Sequence, residues 1–235
     1  MKTELIFALD VPDRKEAQRL IKLLGGEVSW HKIGLELFLR EGAGLVERMA
    51  DQGKKVFLDL KLHDIPRTVG KSVLQVGSVG ASMMTIHAAG GSDMIQAAAE
   101  AAKRIKKPLK IIAVTVLTSL DAQALKKIGI KRNPGKWAVE LAYVARRSGA
   151  DGVVASPREI KAIKAACGTD FIVITPGIRM PDSPPDDQRR TATPSLAARM
   201  GADFIVVGRP IREAVNPVAA AREIKKMIAG PLKRR

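Results

Sequence analysis

The sequence has one cysteine and no long hydrophobic run. With Cys167 alone, no disulfide can form within the chain, which fits a reducing compartment, and we expect a cytoplasmic protein. Every apolar segment is shorter than the roughly 20 residues that cross a bilayer. The run at residues 5–9 is also too short for the core of a signal peptide. We therefore expect no association with a membrane.

Acidic and aromatic residues are scarce as well. Forty Lys and Arg residues against 24 Asp and Glu residues give a net charge of +16. Such an excess suits nucleic-acid binding, but aromatic residues make up only 3% of the chain, which leaves few side chains for bases to stack on. We therefore predict no nucleic-acid partner and interpret the charge as attracting a small anionic substrate. A nucleic-acid-binding protein remains the alternative from a different class.

Eight short apolar runs, rich in β-branched residues, recur along the chain. They lie at residues 5–9, 30–33, 56–58, 83–86, 111–116, 152–155, 171–174 and 204–207. Near-continuous apolarity suits strands of a parallel sheet covered on both faces. Eight βα units predict an α/β fold, a (β/α)₈ TIM barrel that forms a single domain over residues 1–235. An open doubly wound sheet is less favoured, because no Gly-x-Gly-x-x-Gly fingerprint follows the first run.

Helical periodicity separates most of these runs. Asp13 and Glu16 resemble a capping box at the start of the first helical segment. The apolar faces of two such segments are formed by Ala17, Leu20, Ile21 and Leu24 and by Ala138, Leu141, Ala142 and Ala145.

Polar residues follow most of the predicted strands. In a barrel these positions form the catalytic face. They are Asp10, Lys32, Asp59 with Lys61, His87, Thr118, Arg179 and the pair Gly208-Arg209. The two histidines His63 and His87 have no spaced acidic partner, so we predict no metal site.

Asp59 and Lys61 are two residues apart, so their side chains share one side of an extended strand. Neighbouring carboxylates hold a lysine as an ammonium ion, which is a good proton donor to a developing carbanion. A strand-end salt bridge without catalytic function is the alternative interpretation of this spacing.

The turn Gly208-Arg209-Pro210 predicts a phosphate site. Glycine allows close approach of the backbone to a ligand, and proline suits a first helical turn. Barrels often bind phosphate after strands 7 and 8, although a plain turn at the start of a helix would look the same. The Pro- and Asp-rich segment at residues 180–190 is either a surface insertion or a lid over the site.

These motifs together resemble the orotidine 5′-phosphate decarboxylase family in its short bacterial form. The resemblance covers nearly the whole chain. The segment at residues 59–64 has the Asp-x-Lys-x-x-Asp pattern, which a wider group of barrel enzymes shares. The more specific motifs are the continuation His63-Asp64-Ile65-Pro66 and the turns Pro176-Gly177-Ile178-Arg179 and Gly208-Arg209-Pro210-Ile211. One departure is Arg67, which stands where family members commonly have asparagine.

The resemblance implies a role for each motif. Lys61 would protonate C6 of the pyrimidine as carbon dioxide leaves, and Asp59 would lie near the departing carboxylate and hold Lys61. Asp64, Ile65 and Thr68 would reach into the site of a partner subunit in a homodimer with shared active sites. The implied substrate-binding residues are Asp10 and Lys32 for the ribose, Thr118 and Ser119 around the base, and Gly208, Arg209, Arg179 and Gln188 for the phosphate, with Pro176 as a further substrate-binding residue.

The resemblance also implies that Gln188 closes over the phosphate from a mobile loop at about residues 177–190. The substrate would be the nucleotide orotidine 5′-phosphate, and no metal or organic cofactor would be required. A Mg²⁺-dependent sugar-phosphate decarboxylase or aldolase with the same Asp-x-Lys-x-x-Asp pattern is the closest rival.

Overall fold

The computed structural model describes residues 3–180 and 191–230, and in this part of the chain eight parallel strands close into a barrel. Each strand pairs with the next in chain order, and the last pairs with the first. The strands are β1 (Glu4–Ala8), β2 (Trp30–Gly34), β3 (Lys55–Leu62), β4 (Met83–His87), β5 (Lys110–Val114), β6 (Gly152–Val154), β7 (Ile172–Thr175) and β8 (Phe204–Val207). Each predicted run forms a strand, so the prediction of a (β/α)₈ barrel is confirmed.

Helices connect the strands on the outside of the barrel. They are α1 (Arg14–Leu24), α2 (Leu35–Glu41), α3 (Ala43–Asp51), α4 (Pro66–Ser78), α5 (Gly91–Lys103), α6 (Ala122–Lys127), α7 (Pro134–Arg147), α8 (Ile160–Cys167), α9 (Pro194–Met200), α10 (Arg209–Arg212) and α11 (Pro217–Ala229). Short 3₁₀ turns lie at Ala88–Gly90 and Pro157–Glu159. Within the described ranges, none of the helices is long and apolar enough to cross a membrane.

The sequence explains where α1 begins and which face it buries. The Asp13 side chain accepts a hydrogen bond from the Glu16 backbone N–H at 2.9 Å, which satisfies a donor at the start of the helix. The predicted apolar faces of α1 and α7 are both buried, as expected. These faces pack on the sheet and leave the charged residues outside.

The hydrophobic core has two layers because side chains alternate along each strand. The barrel interior is filled by Ile6, Ala8, Trp30, Phe57, Met83, Ile112, Ile174, Phe204 and Val206. The larger layer lies between the sheet and the helices and includes Phe7, Leu20, Leu58 and Phe171. With the interior packed, the polar residues near the carboxyl ends of the strands remain to form a site at the mouth of the barrel.

Strand β3 is longer than its apolar run predicts. It extends to Leu62, so Asp59 and Lys61 lie within the strand and not after it. Its pairing with β4 is interrupted: Leu58 pairs with Met84, and the next pair is Leu62 with Ile86. This irregularity lies at the centre of the candidate site.

Candidate active site

A cavity of about 560 Å³ lies at the carboxyl ends of the strands. Its wall is formed by residues of β1–β3, β5, β6 and β8, together with loops and helices at the carboxyl ends of the strands, including the segment after β7. The predicted site residues that line it are Asp10, Lys32, Asp59, Lys61, Thr118, Pro176, Arg179, Gly208 and Arg209. Residues far apart in the sequence therefore meet in one place, as the barrel prediction requires.

A row of alternating charges crosses this cavity. The Nζ of Lys61 lies 2.8 Å from Oδ2 of Asp59, and the same oxygen is 3.6 Å from Nζ of Lys32. Lys32 in turn donates to Oδ1 of Asp10 at 2.9 Å. Asp59 lies close to two ammonium groups. Because Asp59 is buried, little water screens their attraction.

The neighbouring charges in this row determine the ionisation of its two inner residues, Asp59 and Lys32. Burial alone would raise the pKa of the Asp59 carboxyl, but the charges of Lys32 and Lys61 outweigh it and hold that pKa below its usual range. Burial would likewise lower the pKa of Lys32, yet the carboxylates of Asp59 and Asp10 hold it above its usual range. Asp59 is consequently an anion and Lys32 a cation at neutral pH.

Lys61 has an unusual backbone. Its φ is +51°, and among the residues that the structure describes it is the one non-glycine residue with a positive φ. Its backbone N–H donates to Oγ1 of Thr85 at 2.8 Å, while the Thr85 hydroxyl donates to Oδ1 of Asp59 at 3.0 Å. The predicted closeness of Asp59 and Lys61 is observed, but it arises in an irregular segment of β3 and not from simple strand alternation.

Basic side chains dominate the charge of the cavity. It is lined by five basic residues, Lys32, Lys61, Arg179, Arg209 and Arg212, and by three acidic residues, Asp10, Glu36 and Asp59. The arginines follow the neighbouring strands β7 and β8. Gly208 precedes α10, and a Cβ atom there would meet the Ala8 Cβ at 3.4 Å, so the backbone passes close to β1. This side of the cavity therefore suits an anionic group.

Three polar or charged residues of this region were not predicted from the sequence. Arg212 and Glu36 line the cavity, and Thr85 supports Asp59 and Lys61 from β4. Arg212 could have been found, because residues three apart on a helix share a face and Arg209 was already a candidate. Thr85 offers a weaker signal, since it is a single polar residue within an apolar run.

Four predicted residues do not line the cavity in the single chain, and a fifth cannot be placed. Asp64 and Thr68 are exposed, and Ile65 is 66% exposed. Asp64 accepts a hydrogen bond from the backbone N–H of Ile65 at 2.7 Å. Ser119 is also exposed. The predicted loop extends into residues 181–190, and Gln188 within it lies outside the described residues.

His63 and His87, which the sequence did not predict to form a pair, lie close together. The rings of His63 and His87 have centroids 5.4 Å apart, with His87 half-buried and His63 exposed. Burial lowers the pKa of His87, and the charges of His63 and Lys61 act in the same direction. In residues 3–180 and 191–230, no group of three or more His, Cys, Asp or Glu side chains is placed to hold a metal ion.

A larger cavity, of about 820 Å³, lies beside α6, α7 and α8. Its lining includes Asp121, Asn133, Lys136 and Arg158, and it contains none of the predicted site residues. The smaller cavity is the candidate active site because the lysine–carboxylate row lies there.

The fold and the site define a TIM-barrel enzyme with a basic cavity at the catalytic face. Residues 3–224 match the model of the Orotidine 5'-phosphate decarboxylase / HUMPS family. The chain belongs to this family, and the resemblance inferred from its motifs is confirmed.

Individual relatives agree with this assignment. The chain is 47% identical over 229 residues to an orotidine 5'-phosphate decarboxylase of Moorella thermoacetica, covering 95% of this chain and 91% of that protein. It is 43% identical to the protein of the same name from Trichlorobacter lovleyi, covering 97% of each. The crystal structure of orotidine 5'-phosphate decarboxylase from Lactobacillus acidophilus superposes with a TM-score of 0.87 at 37% identity, covering 96% of this chain and 99% of that one.

Proposed function

We propose that this chain decarboxylates orotidine 5′-phosphate to UMP in pyrimidine biosynthesis. The observation that carries the proposal is the Lys61 ammonium held 2.8 Å from the buried Asp59 carboxylate inside a basic cavity. Such a group can both stabilise a developing carbanion and give it a proton. The relatives that carry this name, and that the chain matches over nearly its whole length, support the choice of substrate.

In the proposed reaction the bond between C6 of the pyrimidine and its carboxylate breaks, and its electron pair stays on C6. Lys61 gives C6 a proton, and carbon dioxide leaves. Asp59 lies near the departing carboxylate and holds Lys61 through its Oδ2 atom. The positive charge is already in place before the carbanion forms, so little reorganisation is needed during the reaction. The proposal requires no metal or organic cofactor.

The basic side of the cavity is proposed to bind the phosphate. Arg209 and Arg179 are the predicted ligands, with Gly208 providing backbone close to the anion. Arg212 adds a third guanidinium to this wall. A phosphate far from the reacting carbon can provide binding energy that assembles the site around C6. The proposed loop at about residues 177–190 and Gln188 would complete this enclosure within one barrel domain.

The other predicted ligands are proposed to surround the nucleoside. Asp10 and Lys32 would bind the ribose, since both residues line the cavity at the end of the charged row away from Lys61. Thr118 and Pro176, which line the same cavity, would contact the base together with Ser119. These assignments bring the reacting carbon toward Lys61 while the phosphate lies on the arginine side.

We further propose a homodimer in which each site borrows residues from the partner. Asp64, Ile65 and Thr68 do not line the cavity of their own chain, yet they follow β3 and begin α4 close to it. The exposed side chain of Ile65 is apolar, as is Leu39, which is 80% exposed. Burial of such side chains would stabilise a subunit interface.

The decarboxylase proposal is tested by following orotidine 5′-phosphate and UMP with the purified protein. We expect conversion to UMP at an undiminished rate in excess EDTA. If chelation abolished turnover of a sugar phosphate and Mg²⁺ restored it, the rival sugar-phosphate enzyme would replace the proposal. Tight duplex binding with a steep salt dependence, without any decarboxylation, would instead support the nucleic-acid alternative.

A further inference from the structure

The pairing between β3 and β4 leaves one residue of β4 opposite three residues of β3. Leu58 pairs with Met84 and Leu62 pairs with Ile86, so Thr85 alone faces residues 59–61. Such a bulge removes regular ladder partners from the longer strand. A buried backbone N–H then needs another acceptor. For Lys61 that acceptor is the Thr85 hydroxyl, at 2.8 Å.

This contact holds a backbone conformation that is unfavourable for lysine. The φ of Lys61 lies in the left-handed region, where a Cβ atom crowds the neighbouring carbonyl oxygen. A residue keeps such a conformation only when its surroundings enforce it. Thr85 is fully buried, and a β-branched side chain on a strand has little rotational freedom. Its hydroxyl is therefore a fixed point against which the Lys61 backbone is held.

The same hydroxyl also orients Asp59. It donates its proton to Oδ1 of Asp59 at 3.0 Å, while Oδ2 receives the Lys61 ammonium at 2.8 Å. A hydroxyl has one proton and two lone pairs, so it can make both contacts at once. The two carboxylate oxygens are thereby divided between Thr85 on one side and the ammonium groups on the other.

We propose that Thr85 is a positioning residue for the reaction of Lys61 and Asp59. One hydroxyl fixes the backbone of the proton donor and the carboxylate that holds its ammonium group. Thr85 does not line the cavity and so acts through these two residues without touching the substrate. This inference rests on the proposed decarboxylase function.

The test compares Thr85→Val and Thr85→Ser with wild type in the decarboxylation assay. Valine keeps the shape and removes the hydroxyl, so kcat should fall about 10- to 100-fold. Serine keeps the hydroxyl, and its kcat should stay within about threefold of wild type. Affinity for UMP should stay within about threefold in both variants, because the arginine side is untouched.

A matched control is Thr175→Val on β7. Thr175 is equally buried, and among the described residues its hydroxyl has no hydrogen-bond partner, so kcat should not change. A Thr85→Val enzyme with kcat within twofold of wild type would overturn the proposal. It would also be overturned if the fall in kcat were matched by an equal loss of UMP affinity, since that indicates general damage to the site.

A second pair of variants decides the matter if Thr85→Val does not fold. Serine and cysteine are similar in size, but a thiol is a weak hydrogen-bonding group. Thr85→Ser should therefore exceed Thr85→Cys in kcat by about tenfold or more, and equal rates would overturn the proposal. If the wild-type protein had no decarboxylase activity, the proposed function itself would be refuted. If the wild type were active and the Thr85 variants were unaffected, only the proposed role of Thr85 would be refuted.

Discussion

Arg212 donates a hydrogen bond from Nη1 to the carbonyl oxygen of Asp10, although the two residues are 202 positions apart in the chain. Asp10 follows β1, and its carboxylate accepts a hydrogen bond from Lys32. Arg212 ends α10, the helix that begins with Arg209. Its Nη2 atom lies 2.7 Å from Oε1 of Glu213, which helps to fix the guanidinium. The proposed ribose side and the proposed phosphate side are thus joined by one side chain.

Replacement of Arg212 by alanine should weaken substrate binding more than it slows the chemical step. It removes a cation from the cavity wall and frees the turn that carries Asp10. We expect KM for orotidine 5′-phosphate to rise about tenfold with a smaller change in kcat, measured by steady-state kinetics. Arg222→Ala is the control, because Arg222 is exposed and pairs with Glu27 on the outer surface. Equal KM values for the two variants would contradict a role for Arg212 in the site.

Replacement of Lys61 should abolish turnover while leaving UMP bound. Removal of both the proton donor and the fixed charge should lower kcat by at least about 1,000-fold. Affinity for UMP, measured by calorimetry, should change far less, because the charge matters most in the transition state. Lys15→Ala, at an exposed position of α1, serves as the control and should keep wild-type activity. Appreciable turnover by Lys61→Ala would show that another group is the proton donor.

The backbone of Lys61 makes a separate prediction about stability. Glycine adopts a positive φ without the crowding that any Cβ atom causes. Lys61→Gly should therefore be more stable than Lys61→Ala by about 1 kcal/mol in urea unfolding, although both should be inactive. A less stable glycine variant would mean that the positive φ imposes no strain at this position.

The buried histidine of β2 should make stability depend on pH. Burial lowers the pKa of His31 from 6.5 to about 4, and the charge of Lys54 acts in the same direction. At a pH between 6.5 and about 4, His31 binds a proton in the unfolded chain but not in the folded chain. The stability that the neutral histidine allows is therefore present at pH 7 and is lost as the pH falls. His31 alone should lower the free energy of unfolding by about 2 kcal/mol between pH 7 and pH 5.

Comparison of variants isolates this contribution from that of other groups. In wild type, the free energy of unfolding measured in urea should fall between pH 7 and pH 5. In His31→Leu that fall should be smaller by about 2 kcal/mol, because leucine binds no proton. His63→Gln, at an exposed position, should keep the wild-type difference. If His31→Leu showed the same dependence as wild type, the histidine would not be held neutral by its surroundings.

Much of the fold follows from patterns that are local in the sequence. The buried face of α1 repeats at helical spacing, and the strand runs are apolar because a parallel sheet is covered on both faces. In a barrel, the strand ends must converge at one mouth, so residues as distant as Asp10 and Arg209 could be assigned to one site before any distance was known.

Other features depend on information that no single segment contains. The bulge that turns the Lys61 N–H toward Thr85 depends on how β3 and β4 align, and the apolar pattern of β3 does not reveal the slip after Leu58. The hydrogen bond from Arg212 to Asp10 likewise depends on the pairing of the first strand with the last, which brings the segments after β1 and β8 together at one mouth of the barrel. Whether Asp64 serves its own chain or a partner depends on a second subunit.

Subunit exchange between two inactive variants, Lys61→Ala and Asp64→Asn, tests the proposed sharing of sites. If Asp64 serves the partner's site, a mixed dimer has one site with both lesions and one with neither. Random exchange makes half of the dimers mixed, so activity should recover to about a quarter of wild type. Lys61→Ala mixed with Asp59→Asn is the control: these residues contact each other within one chain, so every site keeps a lesion and no activity should return. If the first mixture also stayed inactive after proven subunit exchange, Asp64 would act in its own subunit or not at all, while the decarboxylase proposal would stand.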